Sequence, residues 1–283
     1  MGDALTGEDV RKPEELDTID AVGDAVEPPP LATAAPAATG DAEIPLLTVD
    51  RRHYQVTGEI AKGGMGRVLD ARDLRLGRAV AIKELLPRNR DAARRFEREA
   101  RITARLQHPA IIHVYEAGVW SGGEPFYAMP KVKGRSLDKV VAERRTLVER
   151  LGLLPNVIAV ADALAYAHHE NVIHRDLKPS NVLVGAFGET VVIDWGLAKD
   201  LGAPSDPTES LHLRLQRAPA DTNDGSVVGT PAYMPPEQAK GRSVDQRADV
   251  YALGALLYHV LVGAPPYSGE TSADVIEQVK TRP

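Results

Sequence analysis

The sequence predicts an α+β fold, with a small β-rich part followed by a larger, mainly helical one. Between residues 54 and 84, short Val/Ile-rich segments alternate with glycine-containing turns, the pattern of strands. From residue 153 onward, long apolar-periodic stretches dominate. The 283 residues suffice for one or two domains with a sizeable core.

The elements follow in order. Residues 1–50 hold twelve acids against two bases, Arg11 and Lys12, a net −10 in a chain whose total is −6; the remainder therefore carries +4. Pro28-Pro29-Pro30 and the Ala/Pro/Thr run to Gly40 offer little apolar surface to offset ordering entropy. Residues 1–50 are expected to be a disordered acidic leader, and residues 51–283 the folded part. Tyr54–Ile60, Gly66–Arg72 and Ala79–Glu84 read as strands. Asp91–Leu106 reads as a helix, with Phe96, Ala100 and Ala104 on one face at i, i+4, i+8. Its arginines alternate with Asp91, Glu97 and Glu99, which predicts a solvated face laced with helical ion pairs rather than a nucleic-acid patch. Tyr127–Val132 reads as a strand ending in a connector, Leu153–Glu170 as a long helix, and Val182–Val184 and Val191–Ile193 as short strands. Residues 203–227 are polar and aperiodic, as functional or disordered stretches are. Ala248–Val262 is the most apolar run; it is interrupted by Asp249 and His259 and short for a bilayer, so it reads as a buried core helix.

Composition narrows the function classes. The chain has no cysteine, which excludes disulfides and thiolate metal sites and fits a reducing compartment. No basic flank followed by an apolar run marks a secretory signal at the N-terminus. The expected location is the cytoplasm.

Four motifs carry chemistry. In Ile60-Ala61-Lys62-Gly63-Gly64-Met65-Gly66-Arg67-Val68, glycines let the backbone close over phosphates where side chains would clash. A dinucleotide site would need a helix next, and a strand follows instead. Val80-Ala81-Ile82-Lys83 ends a strand on a lysine that needs an anion; Glu99 is the candidate and Glu97 its rival. His174-Arg175-Asp176-Leu177-Lys178-Pro179-Ser180-Asn181 places an acid, a lysine and a carboxamide in one short loop. Asp194-Trp195-Gly196 puts a carboxylate directly after the apolar strand at 191–193.

This set resembles the catalytic domain of eukaryotic-type protein serine/threonine kinases, and the Gly-Gly-Met-Gly and Asp-Trp-Gly runs resemble bacterial members. The resemblance covers about Tyr54 to Lys280 and implies two lobes, a β-rich N-lobe over 51–131 and a mainly helical C-lobe over 132–283. It implies transfer of the γ-phosphoryl group of ATP to Ser/Thr hydroxyls of proteins, with Mg2+ as cofactor. Asp176 would accept the hydroxyl proton and Lys178 neutralise the transferring group. Asn181 and Asp194 would hold the metal. ATP would lie against Ile60, Ala61, Lys62, Gly63, Gly64, Met65, Gly66, Val68, Ala81, Lys83, Glu99 and Leu183, with adenine on the hinge at Met129, Pro130 and Val132. Thr222 and Ser226 are candidate phosphosites of an activation loop, ahead of Thr208 and Ser210, with Arg175 placed to pair a phosphate there. Gly229–Glu237 resembles the substrate-seating segment, with Pro235 where the family has Ala, and Asp249–Gly254 resembles the start of the buried helix that anchors the catalytic loop. Thr103, one turn after Glu99, faces a spot that is usually apolar in the family. Ala61 stands where the first loop glycine falls, and Trp195 where Phe is commoner. Its indole N–H needs a partner. His174 is expected to support the loop, and His168 and His169 to pack at a helix end. Nucleic acid is not an expected partner, and oligomeric state is open. The family continues into further C-terminal helices, one of which carries an arginine for the glutamate at Glu237. The alternative reading is therefore a nucleotide-binding, pseudokinase-like scaffold or an inactive fragment.

Overall fold

A computed structural model describes residues 45–63, 66–86, 90–202 and 231–282. The three strand segments at 54–84 form β1 (Tyr54–Lys62), β2 (Gly66–Asp73) and β3 (Arg78–Leu85). Helix α1 (Arg90–Arg105) follows, then β4 (Glu116–Val119) and β5 (Pro125–Pro130). These strands make one antiparallel sheet ordered β1-β2-β3-β5-β4. Alternation sorts its faces: Val80, Ile82, Phe126 and Ala128 turn to one core with Tyr54 and Trp120. The opposite face meets α1, where Phe96 packs on Tyr127 with ring centroids 5.3 Å apart.

Beyond the connector the chain is mainly helical. It comprises β6 (Gly134–Ser136), α2 (Leu137–Glu143), α3 (Leu147–Leu151) and α4 (Leu154–His169). Then come the small strands β7 (Val172–Ile173), β8 (Val182–Gly185), β9 (Thr190–Val192) and β10 (Lys199–Asp200). The described part closes with α5 (Pro236–Ala239), α6 (Arg247–Val262) and α7 (Ser272–Thr281). The main core joins α4 and α6 to the strands through Val160, Leu164, Val182, Val192 and Leu256. This is the α+β, two-lobed architecture that the resemblance implies.

Three expectations change. Residues 45–50, assigned to the leader by composition, lie on the sheet edge. Val49 N donates to Val119 O at 2.9 Å, and Val119 N donates to Leu47 O at 3.0 Å. An edge strand offers unpaired backbone groups, and the leader's last residues satisfy some of them. In α1, Ala104 is exposed while Thr103 is buried. At 100° per residue, Ala104 stands about 80° round from Phe96 and Thr103 only about 20°, so Thr103 holds the core face. Its hydroxyl donates to Glu99 O at 2.7 Å, which satisfies the buried oxygen. Finally, neither Asp91 nor Glu97 pairs with an arginine of α1 among the described residues. Exposed pairs of that kind are worth roughly 0.5 kcal/mol, too little to fix long side chains.

Candidate active site

The sheet's register builds the upper half of the site. Paired residues of an antiparallel sheet share a face, so Val68, Lys83 and Tyr127 form one row across β2, β3 and β5. Asp70, Ala81 and Met129 form the next row. Lys131 Nζ reaches back to Asp70 Oδ2 at 2.6 Å, which ties the connector to β2. Gly66 permits the hairpin's close approach, because a Cβ there would lie 2.4 Å from the carbonyl oxygen of Glu84. Across the turn, Gly63 N donates to Gly66 O at 2.9 Å.

Lys83 joins three elements. Its ammonium pairs with Glu99 of α1 and, at 3.2 Å, with Asp194 Oδ1. Glu99, not Glu97, is the partner. Tyr127, which sequence reasoning missed, donates its hydroxyl to Glu99 Oε1 at 2.7 Å. The only sequence signal for it was an aromatic at the β5 position that pairs with Lys83. Burial alone would push the Lys83 ammonium down, but Glu99, Tyr127 and Asp194 outweigh it and hold it well above the ordinary lysine value. Lys83 in turn holds the Asp194 carboxyl below the usual carboxylate range, against the effect of burial. Gly196 leaves room for this meeting: a Cβ there would stand 3.1 Å from Glu99 Oε2 and 3.3 Å from Asp194 Oδ1.

The loop at 174–181 builds the lower half. Lys178 Nζ donates to Asp176 Oδ2 at 2.8 Å. Asn181 Nδ2 donates to Asp176 O at 2.9 Å and to Asp176 Oδ2 at 3.2 Å. Burial pushes the Asp176 carboxyl up, and the charge and hydrogen bond of Lys178 only partly offset it. An acid so placed is a better proton acceptor than an ordinary aspartate.

The loop's shape is set from α6. Asp249, fully buried, accepts from His174 N and Arg175 N, each at 2.8 Å, and its Oδ2 lies 2.8 Å from His168 Nε2. Arg175 is held at φ 65°, a left-handed conformation that costs a non-glycine residue about 1–3 kcal/mol unless its surroundings impose it. Asp194 is likewise at φ 63°. His174 is fully buried, accepts from Asp176 N at 3.2 Å through Nδ1, and faces Ile193 O at 3.3 Å through Nε2. His168 thus packs at its helix end as expected, and His174 supports the loop. The resemblance marks Asp249–Gly254 as the start of the buried helix that anchors this loop, and Asp249 does so through these two backbone N–H groups.

The Trp195 indole N–H is buried with no hydrogen-bond partner among the described residues; its ring packs against His174 at 4.6 Å instead. Arg175 is buried and its Nε donates to Leu197 O at 2.6 Å. Glu237 makes no ion pair among the described residues. Ile60, Ala61, Lys62 and Gly63 are exposed on the hairpin. Val68, Met129, Pro130, Val132 and Leu183 are half-buried, and Ala81 is buried. Gly64, Met65, Thr208, Ser210, Thr222, Ser226, Gly229 and Thr230 lie outside the described residues.

The donor set suits a hard cation. Asn181 turns its amide nitrogen to Asp176, which leaves its carbonyl oxygen available. Asp194 gives one oxygen to Lys83, and its side chain is 46% exposed. Oxygen donors of this kind fit Mg2+, which takes few protein ligands and completes its shell with phosphate and water.

A family model described as the protein kinase domain matches residues 54–282. The serine/threonine-protein kinase PknD of Protochlamydia amoebophila is 36% identical over 243 residues, covering 80% of this chain and 24% of that protein. A probable serine/threonine-protein kinase of Streptomyces coelicolor is 37% identical over 232 residues, covering 80% and 32%. PknB of Mycobacterium tuberculosis is 39% identical over 232 residues, covering 80% and 35%. The chain thus spans 24–35% of the length of these curated relatives.

Proposed function

The chain belongs to the protein kinase domain family, and we propose that it transfers the γ-phosphoryl group of ATP to serine and threonine hydroxyls of proteins. The observation that carries this reading is the convergence of Lys83, Glu99 and Asp194 from three elements beside a loop holding Asp176, Lys178 and Asn181. The named relatives are serine/threonine-protein kinases of bacteria, which supports the same hydroxyl class.

In this reading the hairpin of β1 and β2 covers the nucleotide, with Ile60, Val68, Ala81 and Leu183 against adenine and ribose. The backbone at Pro130 and Val132 reads the adenine edge. Lys83, fixed by Glu99, binds the α- and β-phosphates. Asn181 and Asp194 would hold Mg2+, which when bound neutralises phosphate charge. Asp176 accepts the substrate hydroxyl's proton and orients its oxygen for in-line attack, and Lys178 offsets charge on the phosphoryl oxygens. Thr222 and Ser226 are the proposed autophosphorylation sites. The domain begins at about residue 45, after the leader, and divides near residue 131. Among the described residues no helix is long and apolar enough to cross a membrane. We place the activity in the cytoplasm, in keeping with the absence of cysteine. Nothing favours a pseudokinase: Lys83, Asp176, Asn181 and Asp194 are all present.

The test is label transfer from γ-labelled ATP with Mg2+ to a generic basic protein, followed by phosphoamino-acid analysis. The expected products are phosphoserine and phosphothreonine, with transfer lowered about a thousandfold in Asp176→Asn. Equal transfer by that variant, or label on tyrosine alone, would overturn the reading.

A further inference from the structure

We infer that a groove on the C-lobe beside the hinge docks an acidic segment of the protein substrate, apart from the site that takes the acceptor hydroxyl. The inference rests on the proposed function and adds a substrate-recognition surface to it. The groove has a volume of about 580 Å³ and shares no residue with the proposed catalytic set. Three exposed cations line it: Lys133, Arg135 and Arg144. Its apolar wall comes from Val140, Leu153 and Val184. Arg135 pairs with Val184 across β6 and β8, so a cation and the apolar wall share one face. The turn after β8 adds Phe187, 97% exposed, beside the rim. Asn156 Nδ2 donates to Thr190 Oγ1 at 2.8 Å, which ties α4 to the start of β9 and preforms the groove.

Two acids stand near these cations. Glu143 pairs with Arg135, but both side chains are exposed and the pair is weakly held. Glu189 turns its carboxylate to the backbone of its own turn, accepting from Phe187 N at 2.9 Å. Neither Lys133 nor Arg144 forms an ion pair among the described residues. Unanswered cations beside apolar surface are complementary to a peptide that mixes acids with aliphatic residues. The position suits a substrate. Asn181 donates to Asp176 Oδ2 and directly precedes β8. Three residues further on, about 10 Å along the strand, Val184 forms the groove wall. A linker of about fifteen residues, spanning roughly 20 Å as a flexible coil, therefore lets one chain fill the groove and present a hydroxyl to Asp176.

The probe is a short rhodamine-labelled peptide alternating glutamate and leucine, titrated with the full chain and read by fluorescence anisotropy. Reversal of the groove cations, Lys133→Glu with Arg135→Glu and Arg144→Glu, should weaken binding about tenfold or more. The same reversal of three exposed cations elsewhere, Arg90, Arg94 and Arg247, should leave it within about twofold. The glutamine triple at the groove stands in if charge reversal disturbs the lobe. Affinity should fall about fivefold or more between roughly 20 mM and 0.5 M salt. Peptides with glutamine for glutamate, or serine for leucine, should each bind several-fold more weakly. Joined through the linker to a serine-bearing substrate peptide, the acidic segment should lower KM about tenfold with kcat nearly unchanged, in the wild type but not in the groove variant. Equal loss in both triple variants, undiminished binding of the glutamine peptide, or an unchanged KM for the joined substrate would overturn the inference. The anisotropy readouts need no catalysis, so failure here is distinct from failure of the proposed function.

Discussion

The two halves of the site are held by different physics. Around Lys83, three charged groups from β3, α1 and the segment just after β9 meet by electrostatics, and one of them, Asp194, is half open to the cleft. Around Asp249, a fully buried carboxylate fixes backbone N–H groups of the catalytic loop itself. The first arrangement depends on α1 and the Asp194 segment being in place together, so it suits a part that must receive a ligand. The second locks a strained backbone shape, so it suits a part that must not move during proton transfer. Damage to the first should appear as lost nucleotide affinity, and damage to the second as lost stability and misplacement of Asp176.

The largest expected effect tests the rigid half. Asp249→Ala leaves the His174 and Arg175 N–H groups buried without their acceptor. Loss of such a network costs about 3 kcal/mol, read by denaturant unfolding at neutral pH. Burial would raise the Asp249 carboxyl, but His168, His174 and the two backbone N–H groups outweigh it and hold it below the ordinary range. A carboxyl depressed in the folded state contributes stability above its unfolded pKa and loses it as pH falls through the folded one. The gap between wild type and Asp249→Ala should therefore narrow on acidification below the ordinary carboxylate range.

A smaller effect is expected at Lys178. Its charge and hydrogen bond lower an Asp176 carboxyl that burial raises. Lys178→Gln removes that lowering, so the acid limb of the kcat/KM pH profile should move to higher pH, apart from any drop in the plateau. A limb that stays in place would mean Asp176 does not titrate in the rate. The smallest effect belongs to Tyr127→Phe, which deletes one hydrogen bond to Glu99. It should raise KM for ATP by about fivefold, in line with roughly 1 kcal/mol for one hydrogen bond, with kcat nearly unchanged.

The sequence disclosed the Lys83 half less fully than the chemistry of the loop that Asp249 holds. The eight residues from His174 to Asn181 are contiguous, so their roles could be read without knowing the fold. The strands at 54–84 were legible from alternation and glycine turns, within two residues at each end. Tyr127 and the Asp70–Lys131 pair depend on register between strands that are far apart in sequence, and no local pattern encodes that register. Asp249 lies 74 residues from Arg175; the resemblance names its helix as the loop's anchor, but which backbone groups the carboxylate holds became visible only when α6 was packed under the loop. In α1 the misreading has a different reason: a four-residue spacing drifts round a helix, so Ala104 looked internal, while Thr103, which the resemblance places at a usually apolar spot, holds the core face.

The division of labour between the halves is tested most directly by calorimetric titration of Mg·ATP into Lys83→Met and Asp176→Asn, beside the wild type. The account predicts that Lys83→Met weakens binding by about tenfold or more, as loss of a charged hydrogen bond should, while Asp176→Asn binds as the wild type does. Equal loss in both variants, or full affinity in Lys83→Met, would contradict it.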